Sequence, residues 1–219
     1  MTPNLIPLTD PRSPAADAYR GLRTNLLFSS VERPLRTLLV TSPTLQEGKS
    51  LAAANLAVSL AQGGRSVILV DGDLRRPAQP ALWGLPNERG LTDLILNPDA
   101  LADPPLQASG VDGLSLLFSG PNPPNPADLL GSKRMDAAIA ALSARADVVL
   151  FDAPPVLAVT DAMLLGLKLD GVLLVLRAGE TRRDHAEQAK ALLEKVHIHV
   201  LGAVLTDAHG GSGMGKYYS

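Results

Sequence analysis

The sequence predicts an α/β fold of three layers, with helices on both faces of a mostly parallel β-sheet. Short apolar runs alternate with helical patterns along most of the chain, which is typical of parallel strands joined by crossover helices. Several of these runs are apolar throughout, as expected of strands that are buried on both faces. Because 46% of the 219 residues are hydrophobic, the chain can bury one large core, and we predict a single domain over residues 1–219.

The predicted elements begin with a proline-broken leader, expected to be flexible, at 1–14 and a helix at 15–30. Strands are predicted at 35–41, 66–71, 114–118, 147–152, 171–177 and 200–206. Helices are predicted at 49–62, 132–146, 160–167 and 182–196, the last opened by a capping box of Thr181 and Asp184. Weaker helical signals lie at 91–96 and 101–107. The proline-rich segment 121–126 should be an extended loop, and the glycine- and tyrosine-containing end at 209–219 a flexible tail.

The composition excludes several classes of function. The formal net charge is -2 and there is no basic tail, so nothing indicates binding to nucleic acid. The absence of cysteine excludes disulfides, thiolate metal sites and cysteine nucleophiles, and it is typical of a cytoplasmic protein. The N-terminus lacks the apolar segment of a signal peptide, and no apolar run approaches the roughly 18 residues of a membrane span. We therefore expect no direct membrane span.

A candidate phosphate-binding loop lies between the first predicted strand and the helix after it. The residues SPTLQEGKS at 42–50 follow the apolar run 37–40, and apolar residues at helical spacing follow them. Backbone N–H groups of such a loop and of the helix N-terminus surround phosphate, while Lys49 reaches the terminal phosphates and Ser50 binds Mg²⁺. The pattern therefore predicts a site for ATP or GTP with Mg²⁺, formed by Thr44, Gln46, Glu47, Gly48, Lys49, Ser50 and Leu51.

Carboxylates that end two further strands favour this site over a plain surface loop, although Pro43 stands where the usual loop pattern begins with glycine. Asp71 and Asp73 follow the apolar run VILV, and Asp152 ends the run VVLFD. A single aspartate after a strand is usually a turn former. In an open parallel sheet, however, ligands bind at the carboxyl ends of the strands. The loop and the three carboxylates can therefore converge on one metal-nucleotide.

At this point the chain resembles a known family, the bacterial tyrosine kinases of the capsule and exopolysaccharide type, which have a P-loop NTPase fold. The resemblance covers nearly the whole chain. It implies an ATP-dependent protein-tyrosine autokinase that regulates capsular or exopolysaccharide biosynthesis and export, with ATP and Mg²⁺ as cofactors. The segments that carry it are AYRGLRTNL (18–26), TSPTLQEGKSLAAANLA (41–57), VILVDGDLRRP (67–77), GLPNERGLTDLI (84–95), SGPNPPNPADLLGSKRM (119–135), VVLFDAPPVLAVTDA (148–162) and GGSGMGKYYS (210–219).

The resemblance also implies roles for the candidate site residues. Lys49 matches the phosphate-loop lysine, and Asp71 and Asp73 match an acidic pair of the second motif, while Asp152 matches the Walker B carboxylate. Phosphoryl transfer needs an aligned nucleophile and neutralised phosphates, so one carboxylate accepts the tyrosine proton while others hold Mg²⁺. The resulting expectation is a catalytic set of Lys49, Asp71, Asp73 and Asp152, with Asp71 as base, and a metal set of Ser50, Asp71 and Asp152.

The family pattern further implies partners. Tyr217 and Tyr218 match a C-terminal tyrosine cluster that is phosphorylated on a neighbouring subunit. Asp17, Arg20 and Arg23 lie on one helical face and match a pattern that mediates ring-like self-association, although charged residues at this spacing are more often a solvated helix surface. Family members act with a transmembrane polysaccharide co-polymerase or adaptor. We therefore expect a cytoplasmic protein held at the inner face of the membrane by such an adaptor.

Several departures from the family pattern leave alternatives open. Gln46 replaces a loop glycine, Thr206 stands where an adenine-reading asparagine is frequent, and the tail offers only two tyrosines. Gln46 and the reduced tail are compatible with a catalytically weakened nucleotide-binding regulator of a co-polymerase, whereas Thr206 leaves the base selectivity open. A P-loop ATPase of the partitioning or scaffold type is a further alternative, but those proteins usually have a second lysine where this chain has Thr44.

Two other features are expected to be structural. His197 and His199 have a spacing that could hold a metal, but no third ligand is near in the sequence, so a surface position is favoured. Trp83, next to a glycine and a proline, is expected to anchor a loop by packing rather than to bind substrate.

Overall fold

The computed structural model describes residues 4–29 and 35–208 of the chain. Its centre is a seven-stranded sheet with the order β3-β4-β2-β5-β1-β6-β7, parallel except for β3, which pairs antiparallel with β4. This arrangement confirms the predicted α/β class with a mostly parallel sheet. The strands are β1 (Thr37–Thr41), β2 (Val67–Asp71), β3 (Gln107–Ala108), β4 (Leu114–Leu117), β5 (Val148–Asp152), β6 (Gly171–Arg177) and β7 (Val200–Thr206).

Helices cover both faces of the sheet. Local signals set several of their ends: Ser132 accepts a hydrogen bond from the Met135 N–H and so caps one helix, and Pro126 begins another, where its missing N–H is not needed. The helices are α1 (Ile6–Thr9), α2 (Pro14–Ser29), α3 (Lys49–Gln62), α4 (Gln79–Trp83), α5 (Leu91–Leu96), a 3-10 helix (Pro98–Leu101), α6 (Pro126–Gly131), α7 (Lys133–Ser143), α8 (Asp161–Gly166) and α9 (Arg183–Lys195).

The sheet separates two hydrophobic cores. One core packs α3 and residues of α2 against one face, and the other packs α5, α7, α8 and α9 against the opposite face. Every residue of β1 and β2 is buried, because side chains of both faces meet helices. This burial explains why these strands are apolar runs without alternation.

The topology brings the carboxyl ends of β1, β2 and β5 together. The crossover from β1 to β2 passes β5 in one direction, and the crossover from β5 to β6 passes β1 in the other. Open α/β sheets form their ligand crevice where the direction of the crossovers reverses. Because β2 and β5 are neighbours in register, Asp71 lies directly opposite Asp152.

The N-terminal segment differs from the predicted flexible leader. Leu5 is buried in the core beside α3, and the Ile6 N–H donates to the Asn55 Oδ1 at 2.8 Å. The prolines do not prevent this packing, since proline is tolerated in the first turn of a helix, and Pro7 is itself buried in α1. Residues 4–10 are therefore attached to the core of the protein.

Two local predictions between the main elements are wrong. Residues 101–107 are not helical; the 3-10 helix ends at Leu101, and Gln107 and Ala108 instead pair with β4. The capping box at Thr181 is absent, because its hydroxyl accepts from the Arg177 N–H at 2.7 Å and the helix begins after Arg182. In both places the residues bond to a strand instead of forming the helical structure that their local sequence predicts.

Some predictions concern residues outside the described part of the chain. The tail 209–219, with Tyr217 and Tyr218, lies there. Within residues 4–29 and 35–208, none of the helices has the length and apolar character needed to cross a membrane.

Candidate active site

The loop from β1 to α3 has the backbone conformation of a phosphate cradle. Gly48 immediately precedes α3 and has φ +79°, a conformation that side chains rarely adopt. Because Gly48 has no side chain, no side-chain cap competes for the free N–H groups of the first helical turn. Those N–H groups and the positive helix end suit an anion. The loop therefore fits a nucleotide phosphate.

Gln46 adopts a positive φ of 65° in this loop. Gln46 stands where the family pattern has a glycine, and its positive φ shows that this position requires the left-handed conformation. The left-handed conformation costs a non-glycine residue about 1–2 kcal/mol.

The loop is closed by its own polar groups. Glu47 is 3% exposed, and its Oε1 accepts from the N–H and the hydroxyl of Thr44 at 3.1 and 2.5 Å. The Thr206 hydroxyl, at the end of β7, lies 3.1 Å from the Glu47 carbonyl oxygen and donates to it. Thr206 thus supports the phosphate loop, a contact that its sequence position alone did not indicate.

Lys49 lies between the carboxylates that end the neighbouring strands. Its Nζ is 3.3 Å from the Asp73 Oδ2, 3.3 Å from the Asp152 Oδ1 and 3.2 Å from the Ser50 Oγ. Burial alone would lower the pKa of Lys49, but the attraction of Asp152 and Asp73 outweighs it and raises the pKa above the ordinary value. The ammonium group is therefore charged at the predicted position of the terminal phosphates.

Asp71 is a buried carboxylate with an elevated proton affinity. Burial, followed by repulsion from Asp152, raises its pKa well above the ordinary value of 3.8. Its two oxygens accept hydrogen bonds from the Asp73 N–H at 3.2 Å and the Gln79 N–H at 2.9 Å. These bonds hold the carboxylate in place. A positioned carboxylate with a raised pKa has the properties of a general base.

The strand ends approach each other closely at Gly72. The Gly72 N–H donates to the Asp152 carbonyl oxygen at 2.7 Å, and a Cβ at this position would lie 3.0 Å from that oxygen. A glycine between Asp71 and Asp73 therefore allows their loop to lie against β5.

The sequence did not indicate the contacts of two side chains in this region, Gln79 and Arg75. The buried Gln79 side chain donates to the Asp152 Oδ2 at 2.9 Å and to the Ser50 carbonyl oxygen at 3.0 Å. Arg75 makes a two-bond ion pair with the buried Asp161, at 2.8 and 3.0 Å. No spacing rule links these partners, which are far apart in the sequence.

Other predicted residues lie outside this group. Asp17, Arg20 and Arg23 are on α2, where Arg20 pairs with Asp17 and Arg23 donates to the Ser59 carbonyl oxygen of α3 at 2.7 Å. His197 and His199 are exposed before β7; in the described ranges, no three His, Cys, Asp or Glu side chains are grouped to hold a metal ion. Trp83 is buried, as expected of a packing anchor.

Sequence comparison identifies the family of this site. The profile of the ParA family, described as an NUBPL iron-transfer P-loop NTPase, matches residues 36–206. The tyrosine-protein kinase YwqD of Bacillus subtilis (strain 168) is 43% identical over 94% of this chain and 86% of its own length. This chain belongs to the bacterial tyrosine kinases of the P-loop NTPase superfamily. The putative tyrosine-protein kinase CapB of Staphylococcus aureus, another such relative, is 37% identical over 89% of this chain and 85% of its own length.

Solved structures of bacterial tyrosine kinases have the same fold. The kinase domain of the Escherichia coli tyrosine kinase ETK has a TM-score of 0.89 and 31% identity, covering 95% of this chain and 82% of that one. The chimerical protein CapA2B2 has a TM-score of 0.87 and 36% identity, covering 92% and 88%. The septum site-determining protein MinD of Pyrococcus horikoshii OT3, solved with Mg-ADP, is only 22% identical at a TM-score of 0.64, over 78% of this chain and 69% of that one, and shows the shared fold alone. These likenesses confirm the predicted P-loop NTPase fold and the protein-tyrosine kinase class.

Proposed function

We propose that this protein is an ATP-dependent protein-tyrosine autokinase that regulates capsular or exopolysaccharide biosynthesis and export. The observation that carries the proposal is the convergence of Lys49, Asp71, Asp73 and Asp152 beside the phosphate loop. A lysine among buried carboxylates, next to free helix N–H groups, can bind both a polyphosphate and a divalent cation.

In the proposed mechanism, the loop from Thr44 to Leu51 binds the phosphates of ATP through backbone N–H groups, and Lys49 pairs with the terminal phosphate. Ser50, Asp71 and Asp152 are the groups that would hold Mg²⁺, which supplies positive charge to neutralise the phosphates when bound. The hydroxyl oxygen of the acceptor tyrosine forms a bond to the terminal phosphorus while the bond from that phosphorus to the bridging oxygen breaks. Asp71 accepts the hydroxyl proton, and ADP leaves.

The proposed acceptors are Tyr217 and Tyr218, entering the site of a neighbouring subunit. The chain has three tyrosines, so the third, Tyr19, is the competing candidate. Tyr19 is half-buried, and burial raises the pKa of its hydroxyl. A hydroxyl packed beside α3 cannot easily reach another subunit's phosphate, which favours the tail.

We further propose that a transmembrane polysaccharide co-polymerase or adaptor activates the kinase and holds it at the inner face of the membrane, and that subunits form a ring through Asp17, Arg20 and Arg23. An adaptor can activate only by favouring a competent arrangement of the site, so its effect on nucleotide affinity must be reciprocal.

Phosphotyrosine mapping tests the proposed function. Purified protein is incubated with ATP and Mg²⁺, with and without the cytosolic tail of the adaptor encoded beside its gene, and phosphorylated peptides are identified by mass spectrometry. We expect phosphotyrosine that increases with the adaptor tail. ATP hydrolysis without any phosphotyrosine under both conditions would support the partitioning-type ATPase instead, while nucleotide binding with neither activity would support the weakened regulator.

A further inference from the structure

Gln79 is a buried polar side chain that joins three groups of the proposed site. Its side chain is fully buried at the start of α4. The Nε2 donates to the Asp152 Oδ2 at 2.9 Å and to the Ser50 carbonyl oxygen at 3.0 Å. Its backbone N–H donates to the Asp71 Oδ2 at 2.9 Å. One residue therefore links the loop, the Walker B strand and the acidic pair.

Trp83 determines which way the Gln79 amide points. The indole N–H of Trp83, one helical turn further along α4, donates to the Gln79 Oε1 at 3.2 Å. In the reversed orientation, the amide oxygen would face the Asp152 carboxylate and the Ser50 carbonyl, and the amide nitrogen would face the indole N–H. Two acceptors would then meet an acceptor, and a donor would meet a donor. The tryptophan thus fixes the two Gln79 donors toward the site.

The amide suits the position because it orients Asp152 without neutralising it. Gln79 donates a hydrogen bond to the Oδ2 of Asp152, while the other oxygen, Oδ1, lies 3.3 Å from the Lys49 Nζ. An arginine or lysine in place of Gln79 would add positive charge and weaken the attraction of Asp152 for a cation. A glutamate would repel both acceptors. Carboxylates that bind metals are generally held by such outer hydrogen bonds.

We infer that Gln79, oriented by Trp83, is a positioning residue that holds Ser50 and Asp152 in the arrangement that binds the Mg²⁺ of the nucleotide. This inference rests on the proposed function, since it requires that ATP with Mg²⁺ binds here. It extends the site to α4, a helix that the family resemblance did not involve. It also gives Trp83 a second role in addition to packing.

Removing the amide tests the inference directly. Gln79→Met keeps the length of the side chain but removes its donors, while the backbone N–H bond to Asp71 remains. We expect the Mg²⁺ concentration needed for half-maximal ADP binding to rise about 10-fold to 100-fold, the usual effect of losing an outer partner of a metal ligand. Binding of ADP without Mg²⁺ should be unchanged. Calorimetric titration of ADP at a series of Mg²⁺ concentrations measures both quantities.

The matched control is Gln107→Met. Gln107 also donates to a backbone carbonyl, that of Pro86 at 2.9 Å, but it lies at the edge strand β3. We expect Gln107→Met to require the same Mg²⁺ concentration for half-maximal ADP binding as the wild type. A general loss of stability would not change the Mg²⁺ requirement of the folded fraction, and thermal unfolding without nucleotide measures that loss separately.

A second variant tests the inference even if the Gln79→Met protein does not fold. Trp83→Phe keeps an aromatic ring in the core but removes the N–H that orients Gln79. We expect a change in the Mg²⁺ requirement of the same direction and smaller size, and no further change when it is combined with Gln79→Met, because both act through one amide. If Gln79→Met does not fold, an unchanged Mg²⁺ requirement in Trp83→Phe overturns the inference.

The chain contains one tryptophan, so the tryptophan emission of the wild-type protein reports on the surroundings of Trp83. We expect Mg-ADP to change the Trp83 emission in the wild type and in Gln107→Met, and to change it less in Gln79→Met. An identical Mg²⁺ requirement in wild type and Gln79→Met would overturn the inference while leaving the nucleotide site intact. Failure of the wild type to bind ADP, with or without Mg²⁺, would overturn the proposed site itself and the inference with it.

Discussion

At the scale of single residues, the positive charge of Lys49 compensates the buried carboxylates of the site. The ammonium lies 3.3 Å from both Asp73 and Asp152, and the side chain of Asp152 is fully buried. Buried charges of one sign are stable only when they are paired. The same lysine thus stabilises the fold and supplies the charge that a terminal phosphate would meet.

Replacing Lys49 should therefore affect both binding and stability. Lys49→Met removes the charge and leaves Asp73 and Asp152 unpaired, so we expect no measurable binding of ATP-Mg and a loss of about 3–5 kcal/mol in the free energy of unfolding. Titration calorimetry and urea unfolding measure the two effects. Lys190→Met is the control, because Lys190 is exposed on α9 and its pair with Glu194 is 3.6 Å long. Wild-type nucleotide binding in Lys49→Met would mean that the loop does not bind phosphate.

Because the pKa of Asp71 is raised, we expect the free energy of unfolding to depend on pH. Because its pKa in the folded protein exceeds the ordinary value of 3.8, the folded state binds more protons than the unfolded state between these two values. This contribution to stability is therefore present below 3.8 and is lost as the pH rises through the folded pKa. We expect Asp71→Asn to gain stability relative to the wild type as the pH rises through this window.

Urea unfolding at a series of pH values measures this difference. The changed hydrogen bonds of Asp71→Asn can lower its free energy of unfolding by a constant amount. Such a constant offsets the difference between variant and wild type at every pH but does not change how that difference varies with pH. Asp112→Asn, which alters an exposed carboxylate in the turn before β4, is the control for the loss of one carboxylate. A pH-independent difference for Asp71→Asn would show that burial does not raise the proton affinity of this group.

The strain at Gln46 can be measured by glycine substitution. Gln46 has φ 65°, so Gln46→Gly relieves about 1–2 kcal/mol of strain and loses about 0.5–1 kcal/mol through the greater freedom of the unfolded chain. We expect a stability equal to the wild type or up to about 1.5 kcal/mol higher. Leu45→Gly, at an exposed neighbour without positive φ, should instead be destabilising. Equal losses in both variants would contradict the strain at Gln46.

At the scale of elements, one of the residues proposed to form the ring, Arg23, also attaches α2 to α3. The Arg20 guanidinium donates to the Pro11 carbonyl oxygen at 2.9 Å and pairs with Asp17, all within the N-terminal segment. Arg23 instead reaches across to α3 and donates to the Ser59 carbonyl oxygen at 2.7 Å. The two arginines thus have different roles within one subunit, whatever they contact in a ring.

This difference predicts separate effects of the two arginines. Arg20→Ala should lower the assembled mass with a small effect on unfolding, since its bonds are local and exposed. Arg23→Ala should lower both the mass and the stability, the latter by about 1–3 kcal/mol, because it loses a charged hydrogen bond between two helices. Light scattering and urea unfolding measure the two quantities. Arg183→Ala, which removes an exposed pair on α9, is the control. Wild-type mass in Arg20→Ala and Arg23→Ala would argue against the ring.

At the scale of the whole molecule, the sheet brings distant parts of the chain to one edge. The phosphate loop follows β1, the acidic pair ends β2, Asp152 ends β5, and Thr206 at the end of β7 touches the loop. The chain continues from β7 toward the tyrosine-containing C-terminus. A site shared by four strands is sensitive to anything that moves the strand ends relative to one another.

The three tyrosines allow a clear test of the proposed acceptors. The double variant Tyr217→Phe/Tyr218→Phe should lose the phosphotyrosine signal but keep its ATP hydrolysis, because the substitutions remove acceptors and leave the nucleotide site unchanged. Tyr19→Phe is the control and should retain the signal. In a mixture of the double variant, which keeps an intact nucleotide site, and Lys49→Met, which keeps its tyrosines, we expect phosphotyrosine on the Lys49→Met protein if transfer occurs between subunits. Continued phosphorylation of the double variant at Tyr19 would refute the tail as the substrate.

Local sequence was sufficient to predict the six main parallel strands and the long helices, and to select the residues that the structure brings together at the candidate site. The strands that carry the site are continuous apolar runs, and the phosphate loop and the aspartates follow them directly, so their positions depend on short-range chemistry. The class of fold follows from the order of these elements, because parallel strands require crossover helices. Family membership, the P-loop fold and the kinase class were predicted from contiguous motifs in the same way.

Tertiary structure decided the contacts that join residues far apart in the chain. Gln79 meets Asp152 across 73 positions and Thr206 meets the Glu47 carbonyl across 159, and neither pairing follows from a local pattern. The docking of residues 4–10 onto α3 also depended on a buried Leu5 that outweighed the proline signals around it. Local sequence sets which conformations a segment prefers, but only the packed core determines which buried donor finds which acceptor, because each buried polar group must be satisfied by whatever the fold places beside it.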